Sequence, residues 1–259
     1  MNKNEILKIL TKDARSFYNL TLADIVESTN DTVKAQAKNS APEGTVLISE
    51  EQTKGKGTKG RSFFSPKGNG IYMSILLRTE LPIEKTVMIT TAAAVSVCEA
   101  IEKLTDKRPK IKWVNDILID NKKVCGILTE GVVGQYAVLG IGINAFAPQN
   151  GFPDEIKNIA GAVLDEFKVN FRNELVAEIL NSFLRYYKNL ENNPHTELYK
   201  SYSAILGKEI NVVTNDEILP AVAVDIDDDC RLKVRFPDGH EKLLNSGEVT
   251  LRLEKGYNL

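Results

Sequence analysis

The sequence predicts an α/β protein with a larger first part and a small antiparallel barrel at the C-terminus. Strand-like and helix-like stretches alternate through most of the chain, whereas only short strand-like runs separated by "ND", "DDD" and "PDG" turns follow Gly207. The chain has 259 residues, 42% of them hydrophobic, enough for one sizeable core with a smaller one beside it. We therefore expect two domains, residues 1–205 and 206–259.

The first elements follow from hydrophobic pattern and capping residues. Residues 1–20 indicate a short helix and a connector. The next strand ends at Ser28 and Thr29, which are residue types that cap helices. The predicted elements in order are the strand "LADIVEST", the helix "NDTVKAQAKN", the strands "GTVLISEEQ" and "NGIYMSILLR", and a long buried helix, "PIEKTVMITTAAAVSVCEAIEKLTDK".

The later elements of the first part are three strands and two helices. We expect "PKIKWVNDILID" to be one strand that turns near Asp120–Lys122, with "NKKVCGILTEGV" as the return strand and "QYAVLGIGINAF" as a further strand. Residues 171–192 repeat apolar side chains every four positions from Phe171, which predicts one buried helical face, and a short helix follows around 195–204. The C-terminal strands are predicted in "KEINVVT", "ILPAVAVDID", "CRLKVRFP" and "HEKLLNSGEVTLRL".

Composition disfavours several classes of function. The formal net charge of -2 gives no overall basic field for nucleic acid, and the residues before the first strand are too few for a helix-turn-helix module, so direct DNA binding is not expected. The start, "MNKNEILKILTKDAR", has no signal-peptide pattern, and no stretch approaches the ~18 apolar residues of a membrane span. We expect a cytoplasmic protein.

The cysteines and histidines favour structural roles. Cys98, Cys125 and Cys230 are odd in number, widely spaced and without a CxxC pair, so we expect buried thiols rather than disulfides or zinc ligands. His195 and His240 fall in segments that look peripheral, and we expect both on the surface without a catalytic role.

A basic, glycine-rich stretch, "QTKGKGTKGR" at residues 52–61, directly follows a predicted strand. Glycine lets backbone N–H groups approach a ligand, while lysine and arginine supply charge for phosphate or carboxylate oxygens. The stretch is not a P-loop, and its GxGxxG from Gly55 to Gly60 opens no helix-like segment. A solvated surface loop remains the alternative to a loop that is mobile when empty and closes over a polyanion.

A second polar cluster lies in "KIKWVNDILIDNKKVCGIL". Strand alternation and a hairpin turn would let Lys112, Asp116 and Lys123 share one pocket, with Asn115 beside them. The lysines suit phosphate or carboxylate, and Asp116 suits Mg²⁺. Such a cluster fits the joining of a carboxylate to the α-phosphate of ATP, because the two anions repel each other and need cations placed in advance.

Four stretches in order resemble the biotin–protein ligases, in the short form without an N-terminal DNA-binding domain. They are "ESTND", "EEQTKGKGTKGR" with "FSPKGNGIYMSILL", "KWVNDILIDNKKVCGILTE" and "GIGINAF", and the resemblance runs from about Val26 to Leu253. It implies a mixed-sheet catalytic domain related to class II synthetases and an SH3-like barrel. It also implies an enzyme that forms biotinyl-5′-AMP from biotin and Mg·ATP and passes biotin to a lysine of a biotin carboxyl carrier domain.

The resemblance also implies roles for individual residues. Catalytic roles go to Arg61, Lys112 and Lys123, and a metal role goes to Asp116. The biotin site would comprise Ser28, Thr29, Asn30, Gln52, Lys56, Gly57, Thr58, Lys123 and Gly126. The ATP or adenylate site would comprise Gly55, Lys56, Arg61, Lys112, Asn115 and Asn144.

Two departures and two alternatives accompany this interpretation. The loop has Lys56 and Thr58 where the family often has arginine, so we expect weaker retention of the adenylate, and Val114 stands where proline is usual. A lipoate–protein ligase shares the chemistry but activates another acid, and a non-catalytic binder would hold biotin without releasing pyrophosphate. Exposed strand edges would permit a homodimer.

Overall fold

The computed structural model describes residues 1–78, 87–132, 134–213, 217–245 and 248–251. The helices in these ranges are α1 Lys3–Ile9, α2 Lys12–Phe17, α3 Thr29–Lys38, α4 Val87–Leu104, α5 Phe171–Tyr187 and α6 Thr196–Ser201. The strands of the first part are β1 Asn19–Val26, β2 Thr45–Gln52, β3 Gly70–Leu77, β4 Lys110–Lys112, β5 Asp116–Ile119, β6 Lys122–Val132 and β7 Tyr136–Asn144. Those of the second part are β8 Glu209–Val213, β9 Ile218–Ile226, β10 Leu232–Arg235, β11 Glu241–Leu244 and β12 Glu248–Leu251.

The first part is a mixed seven-stranded sheet, which confirms the predicted fold class. The strand order is β1-β2-β3-β7-β6-β5-β4, with β1 parallel to β2 and every other neighbouring pair antiparallel. A large core holds α1, α4 and α5 together with the sheet, and α3 packs through Val33 and Ala37 against Leu47, Leu76 and Val138 in a smaller cluster. The sheet is therefore covered by helices from two separate apolar clusters.

The two long helices bury the faces that their sequences predict. Every residue of α4 from Met88 to Cys98 is buried, in keeping with its apolar residues on several faces. In α5 the four-residue repeat Phe171, Leu175, Ile179 and Phe183 is fully buried. The predicted start of α4 at Pro82 lies outside the described residues.

One predicted strand of the first part is divided into two by a chain reversal. The stretch "PKIKWVNDILID" forms β4 and β5, which pair antiparallel with Lys112 opposite Asp116, because the chain reverses at Trp113–Asn115. The Trp113–Val114 peptide bond within this reversal is cis. The turn between β5 and β6 lies where the sequence predicted it. Asp120 and Asn121 both have positive φ, which is the conformation of a tight hairpin turn.

The second part is a small antiparallel unit of the predicted SH3-like kind. Its strand order is β11-β10-β9-β8-β12, so the stretch "HEKLLNSGEVTLRL" contributes two strands where one was expected. Within the described residues β11 and β12 form the two edges of this sheet. The predicted "ND" turn lies outside the described residues.

Direct hydrogen bonds join the second part and α6 to the Trp113–Asn115 reversal. Trp113 Nε1 donates to the Cys230 carbonyl at 3.0 Å, and Tyr199 Oη donates to the Val114 carbonyl at 2.9 Å. The Tyr202 carbonyl accepts from the Ile111 N–H at 2.8 Å. The position of the reversal is thus set partly by residues far along the chain.

The cysteines are buried and unpaired, as predicted, but one histidine is not where the sequence suggested. His240 is exposed, whereas His195 is fully buried beside α4. Its Nε2 lies 2.8 Å from Thr91 Oγ1 and 3.9 Å from Cys230 Sγ, and its Nδ1 is buried without a hydrogen-bond partner. In the described part of the chain, no helix combines the length and apolarity needed to cross a bilayer.

We predict that His195 makes the protein sensitive to mild acid. Burial lowers the pKa of His195 to about 4, whereas an unfolded histidine titrates near pH ~6.5. Between these values the unfolded chain binds a proton that the folded protein does not, so the free energy of unfolding falls as pH falls through this window. Between pH 7 and pH 4.5 this loss should be about 2 kcal/mol.

Urea unfolding at both pH values measures this loss. The variant His195→Asn should lose about 2 kcal/mol less than the wild type over the same pH change. The variant His240→Asn, at the exposed histidine, should behave as the wild type does. An equal pH dependence in wild type and His195→Asn would contradict the prediction.

Candidate active site

Buried polar side chains from the start of α3 form one end of a small cavity. Ser28 caps the helix through its Oγ, which accepts from the Asp31 N–H at 3.4 Å. Thr29 donates to Gln52 Oε1 from both its N–H, at 2.8 Å, and its hydroxyl, at 3.0 Å. The amide of Gln52 is oriented in turn because its Nε2 donates to Ser65 Oγ at 3.0 Å. This end of the cavity therefore carries fixed donors and acceptors.

Asn30 is held against the sheet by residues that the sequence analysis did not single out. Its Nδ2 donates to Glu130 Oε2 at 2.8 Å, and its Oδ1 lies 2.6 Å from the hydroxyl of the fully buried Ser74. A Cβ on Gly140 would come within 2.3 Å of Asn30 Oδ1, so only glycine permits this approach. The sequence does carry a signal for Ser74, because it is a polar residue in the middle of an otherwise apolar strand.

Glycines form the floor of the cavity where β6 and β7 pair. Gly126 lies opposite Gly142, and Leu128 lies opposite Gly140. Ile127 and Ile141 alternate with these positions and belong to the main core, and Phe63 completes the lining from the loop side. Because glycine has no side chain, the glycine positions leave a strip of exposed backbone that leads from the buried polar end toward Lys123.

The glycine-rich stretch forms a compact loop above this floor. The Gly57 N–H donates to the Arg61 carbonyl at 2.7 Å, and the Phe63 N–H donates to the Gly55 carbonyl at 2.9 Å. A short 3-10 turn spans Thr58–Gly60, with positive φ at Lys59 and Gly60. Lys56, Gly57 and Thr58 line the cavity. The mobility expected of the empty loop stays a prediction.

An ion pair ties the loop to α3. Lys56 Nζ lies 2.7 Å from the carboxylate of Asp31, which also lies 3.6 Å from Lys34 Nζ. Burial alone would raise the pKa of Asp31, but the hydrogen bond and charge of Lys56, with help from Lys34, outweigh it and lower that pKa. The hydrogen bond to Asp31 raises the pKa of Lys56. Lys56 therefore keeps its positive charge at neutral pH.

The second predicted cluster lies beside the first cavity. Lys123 Nζ and Asp116 Oδ1 form an ion pair at 2.7 Å. Asn115 is fixed by β6, since its Nδ2 donates to the Ile127 carbonyl at 2.8 Å and its own carbonyl accepts from the Ile127 N–H at 3.0 Å. Asp116 and Lys123, which were predicted to share a pocket, are thus in direct contact.

A larger cavity, of about 750 Å³, also has Asn115 in its lining. Arg61, Lys112 and Asp116 line it, and Asn115 and Thr58 line both this cavity and the smaller one. Its opposite wall comes from the second part of the chain, including Phe236 and Lys242, which the sequence analysis missed because no local pattern links them to the first part. The three residues with predicted catalytic roles, Arg61, Lys112 and Lys123, therefore border two cavities that share lining residues.

Two of the predicted residues lie outside the linings of both cavities. Asn144 Nδ2 donates to the Gly161 carbonyl at 2.9 Å, which fastens the segment after β7, and its adenine-binding role stays a prediction. Gly55 is packed within the loop, where a Cβ would come within 2.4 Å of the Phe63 carbonyl oxygen. The close approach makes glycine necessary for the shape of the loop, and the predicted part of Gly55 in the adenylate site stays a prediction.

Comparison with known proteins gives consistent matches along the chain. Residues 22–144 match the Biotin/lipoate A/B protein ligase family, and residues 205–252 match the Biotin protein ligase C terminal domain. The chain is 35% identical over 232 residues to the Bifunctional ligase/repressor BirA of Bacillus subtilis, which covers 86% of this chain and 71% of that protein. It is 30% identical over 234 residues to the Biotin--[acetyl-CoA-carboxylase] ligase of Mycobacterium tuberculosis, at 86% and 85% coverage.

Solved structures agree with these sequence matches. The biotin protein ligase from Aquifex aeolicus, in complex with biotin and ATP, superposes with a TM-score of 0.78 at 27% identity. The superposition covers 91% of this chain and 99% of the Aquifex chain.

We predict that Asp31 restrains the glycine-rich loop in the ligand-free protein. Both partners of the Lys56–Asp31 pair are about half exposed, so the contact is worth roughly 0.2–1 kcal/mol. Asp31→Asn should therefore speed tryptic cleavage within residues 54–61 by about 1.5- to 5-fold. The matched control is Asp13→Asn, which removes an exposed ion pair to Lys188 far along the chain from the loop. Equal cleavage rates in the two variants would contradict the prediction.

Proposed function

The chain belongs to the biotin protein ligase family, and we propose that it activates biotin with ATP and transfers it to a lysine of a biotin carboxyl carrier domain. The observation that supports this most is that the two cavities share Asn115 and Thr58 in their linings. One has a buried polar end and a glycine floor, and the other is bordered by cationic side chains. This arrangement suits a small acid with a polar head, an apolar chain and a terminal carboxylate that must meet a nucleotide.

The C-terminal match favours biotin over lipoate as the acid. The first family groups biotin and lipoate ligases together, whereas the C-terminal domain is described for biotin protein ligases alone. The polar end of the cavity also suits a ureido ring, which carries donors and an acceptor, better than it suits an apolar dithiolane ring. We divide the chain accordingly into residues 1–205, which bind biotin and ATP, and residues 206–259.

Biotin lies in the smaller cavity in this proposal. Ser28, Thr29, Asn30 and Gln52 hold its ureido ring, because these side chains are already oriented by hydrogen bonds and pay little ordering entropy on binding. The valeryl chain follows the glycine floor over Gly126, and the carboxylate arrives near Lys123.

Adenylation requires that mutually repelling anions meet. Two unit charges 4 Å apart repel by about 1 kcal/mol in water and by about 4 kcal/mol at an effective dielectric of 20. Arg61, Lys112 and Lys123 offset this repulsion at the border of the two cavities. A carboxylate oxygen of biotin attacks the α-phosphorus of ATP, and the bond from that phosphorus to the α,β-bridging oxygen breaks, which yields biotinyl-5′-AMP and pyrophosphate.

Transfer to the carrier needs no nucleophile from this chain. The unprotonated ε-amine of the acceptor lysine attacks the acyl carbon of the mixed anhydride, AMP leaves, and the nitrogen loses a proton as the amide forms. The loop with Lys56, Thr58 and Arg61 lies over the reacting atoms and keeps water from hydrolysing the anhydride.

A magnesium ion would be held mainly by ATP itself. Among the described residues no three His, Cys, Asp or Glu side chains group into a metal site, and Asp116 contributes a single carboxylate at the border of the larger cavity. One carboxylate with phosphate oxygens and water is a common magnesium arrangement, so these residues fit the ion. When bound with ATP it supplies further neutralisation of phosphate charge.

The remaining partners stay predictions from the sequence. The carrier domain is the expected protein partner, a homodimer through strand edges is permitted, and direct DNA binding is not part of the proposal. A cytoplasmic location rests on the cysteine pattern.

Biotinylation of a carrier domain tests the proposed function directly. Incubation with ATP, Mg²⁺, biotin and carrier domain should give an avidin-reactive product, and pyrophosphate exchange should depend on biotin and not on lipoate. Lys112→Ala should lower both rates by about 10²–10³-fold, because a charge that stabilises the reacting phosphate is lost. Lys110→Ala, at an exposed lysine of the same strand that lines neither cavity, is the control. Exchange with lipoate alone would overturn the assignment of biotin.

We predict that the glycine floor cannot accept a branched side chain. A Cβ on Gly126 would lie 3.1 Å from Lys123 Cε and 3.2 Å from Lys123 Nζ. Gly126→Val should abolish biotin binding measured by calorimetry, and Gly126→Ala should weaken it less, because the end of the lysine chain can shift. Normal affinity in the folded valine variant would show that biotin does not lie on this strip.

A further inference from the structure

The ring of Phe63 lies directly on the glycine floor. A Cβ on Gly142 would come within 2.7 Å of Phe63 Cε1 and 2.9 Å of Cζ, and a Cβ on Gly126 would lie 3.4 Å from Cε2. The ring also makes an edge contact with Tyr72, with ring centroids 6.4 Å apart. Phe63 thus occupies the space that the absent glycine side chains leave open.

The room that remains beside this ring is too small for the substrate. The cavity between the polar end and the loop measures about 40 Å³. Sites for small organic ligands typically measure about 300–1,000 Å³. The slot is therefore narrow in this structure, and the Phe63 ring is the group that lies on its glycine floor.

We propose that Phe63 is a gate that occupies the acyl-chain part of the biotin slot when biotin is absent and must leave before biotin enters. The inference rests on the proposed function, since it takes the glycine floor as the place of the valeryl chain. The ring is an internal competitor: its apolar face covers the backbone strip that the substrate chain would cover. The observed affinity for biotin is then lowered by the fraction of molecules in which the ring is in place.

Hydrogen bonds link the gate to both the loop and the polar end. The Phe63 N–H donates to the Gly55 carbonyl at 2.9 Å, so the ring is carried by the backbone that closes the glycine-rich loop. The Phe63 carbonyl accepts from Ser65 Oγ at 2.9 Å, and Ser65 Oγ in turn accepts from Gln52 Nε2 at 3.0 Å. Exit of the ring by a backbone movement would therefore be felt by the loop and by the Ser65 contact that orients Gln52.

The adjacent aromatic residue offers a matched control. Phe64 is partly exposed and makes an edge contact with Phe152, with ring centroids 6.5 Å apart. It lines neither the biotin slot nor the larger cavity. Truncating it removes as much aromatic surface from the same loop without opening the slot.

The test compares biotin binding by wild type, Phe63→Ala, Phe63→Leu and Phe64→Ala. Association rates are measured by rapid filtration with radiolabelled biotin, dissociation constants by calorimetry, and thermal stability by circular dichroism without ligand. Phe63→Ala should associate with biotin about tenfold faster than wild type, with Phe63→Leu between them, while its ligand-free form melts at a lower temperature. Phe64→Ala should keep the wild-type association rate.

Each outcome decides between the possibilities. A wild-type protein that binds no biotin overturns the proposed function itself, whatever the variants do. If the wild type binds biotin and neither Phe63 variant associates faster, the gate is wrong. If Phe63→Ala binds more weakly through faster dissociation alone, the ring is a wall of the occupied site and not a gate. If Phe63→Ala does not fold, the same comparison of association rates is made with Phe63→Leu.

Discussion

The pairing of β6 with β7 is the contact on which the rest of the site depends. Its register sets Gly126 opposite Gly142 and leaves Gly140 under Asn30, so backbone is bare at the middle of a sheet that is otherwise covered by buried side chains. A shift of one residue would bring Ile127 and Ile141 to the opposite face and close the slot, since strand side chains alternate. The polar end, the loop and Lys123 are all positioned relative to this strip. The hydrogen bonds between β6 and β7 therefore determine both the local fold and the arrangement of the site.

Three lysines in or beside the site have carboxylate partners in the structure. Lys56 contacts Asp31, Lys34 contacts Glu130 at 2.6 Å, and Lys123 contacts Asp116 at 2.7 Å. The carboxylates reduce the repulsion between the lysines, which would be strong in a partly desolvated space without them. The substrate oxygens then replace one set of negative partners with another. Such an exchange keeps the site ordered before the reaction, which is what electrostatic stabilisation of phosphate transfer requires.

Local patterns in the sequence carried most of the fold and part of the site. The repeat in α5, the apolar faces of α4, the cap at Ser28 and the turn at Asp120–Asn121 are all encoded by neighbouring residues, and each was predictable. The reversal at Trp113–Asn115 was not, because Lys112 and Asp116 pair across only three residues in a run that looks continuous. The burial of His195 and the contributions of Ser74 and Phe236 depend on contacts between distant stretches, which no local pattern records.

The hydrogen bonds from Trp113 to the Cys230 carbonyl and from Tyr199 to the Val114 carbonyl have a bearing on chimaeric proteins. A C-terminal module grafted from a homologue would arrive with its own β9–β10 connection, and so would bring a different support for the chain reversal. It would also replace the side of the nucleotide-sized cavity that contains Phe236 and Lys242. Module exchange between such enzymes would consequently alter turnover as well as recognition of protein substrates, even though every residue at the glycine strip is retained.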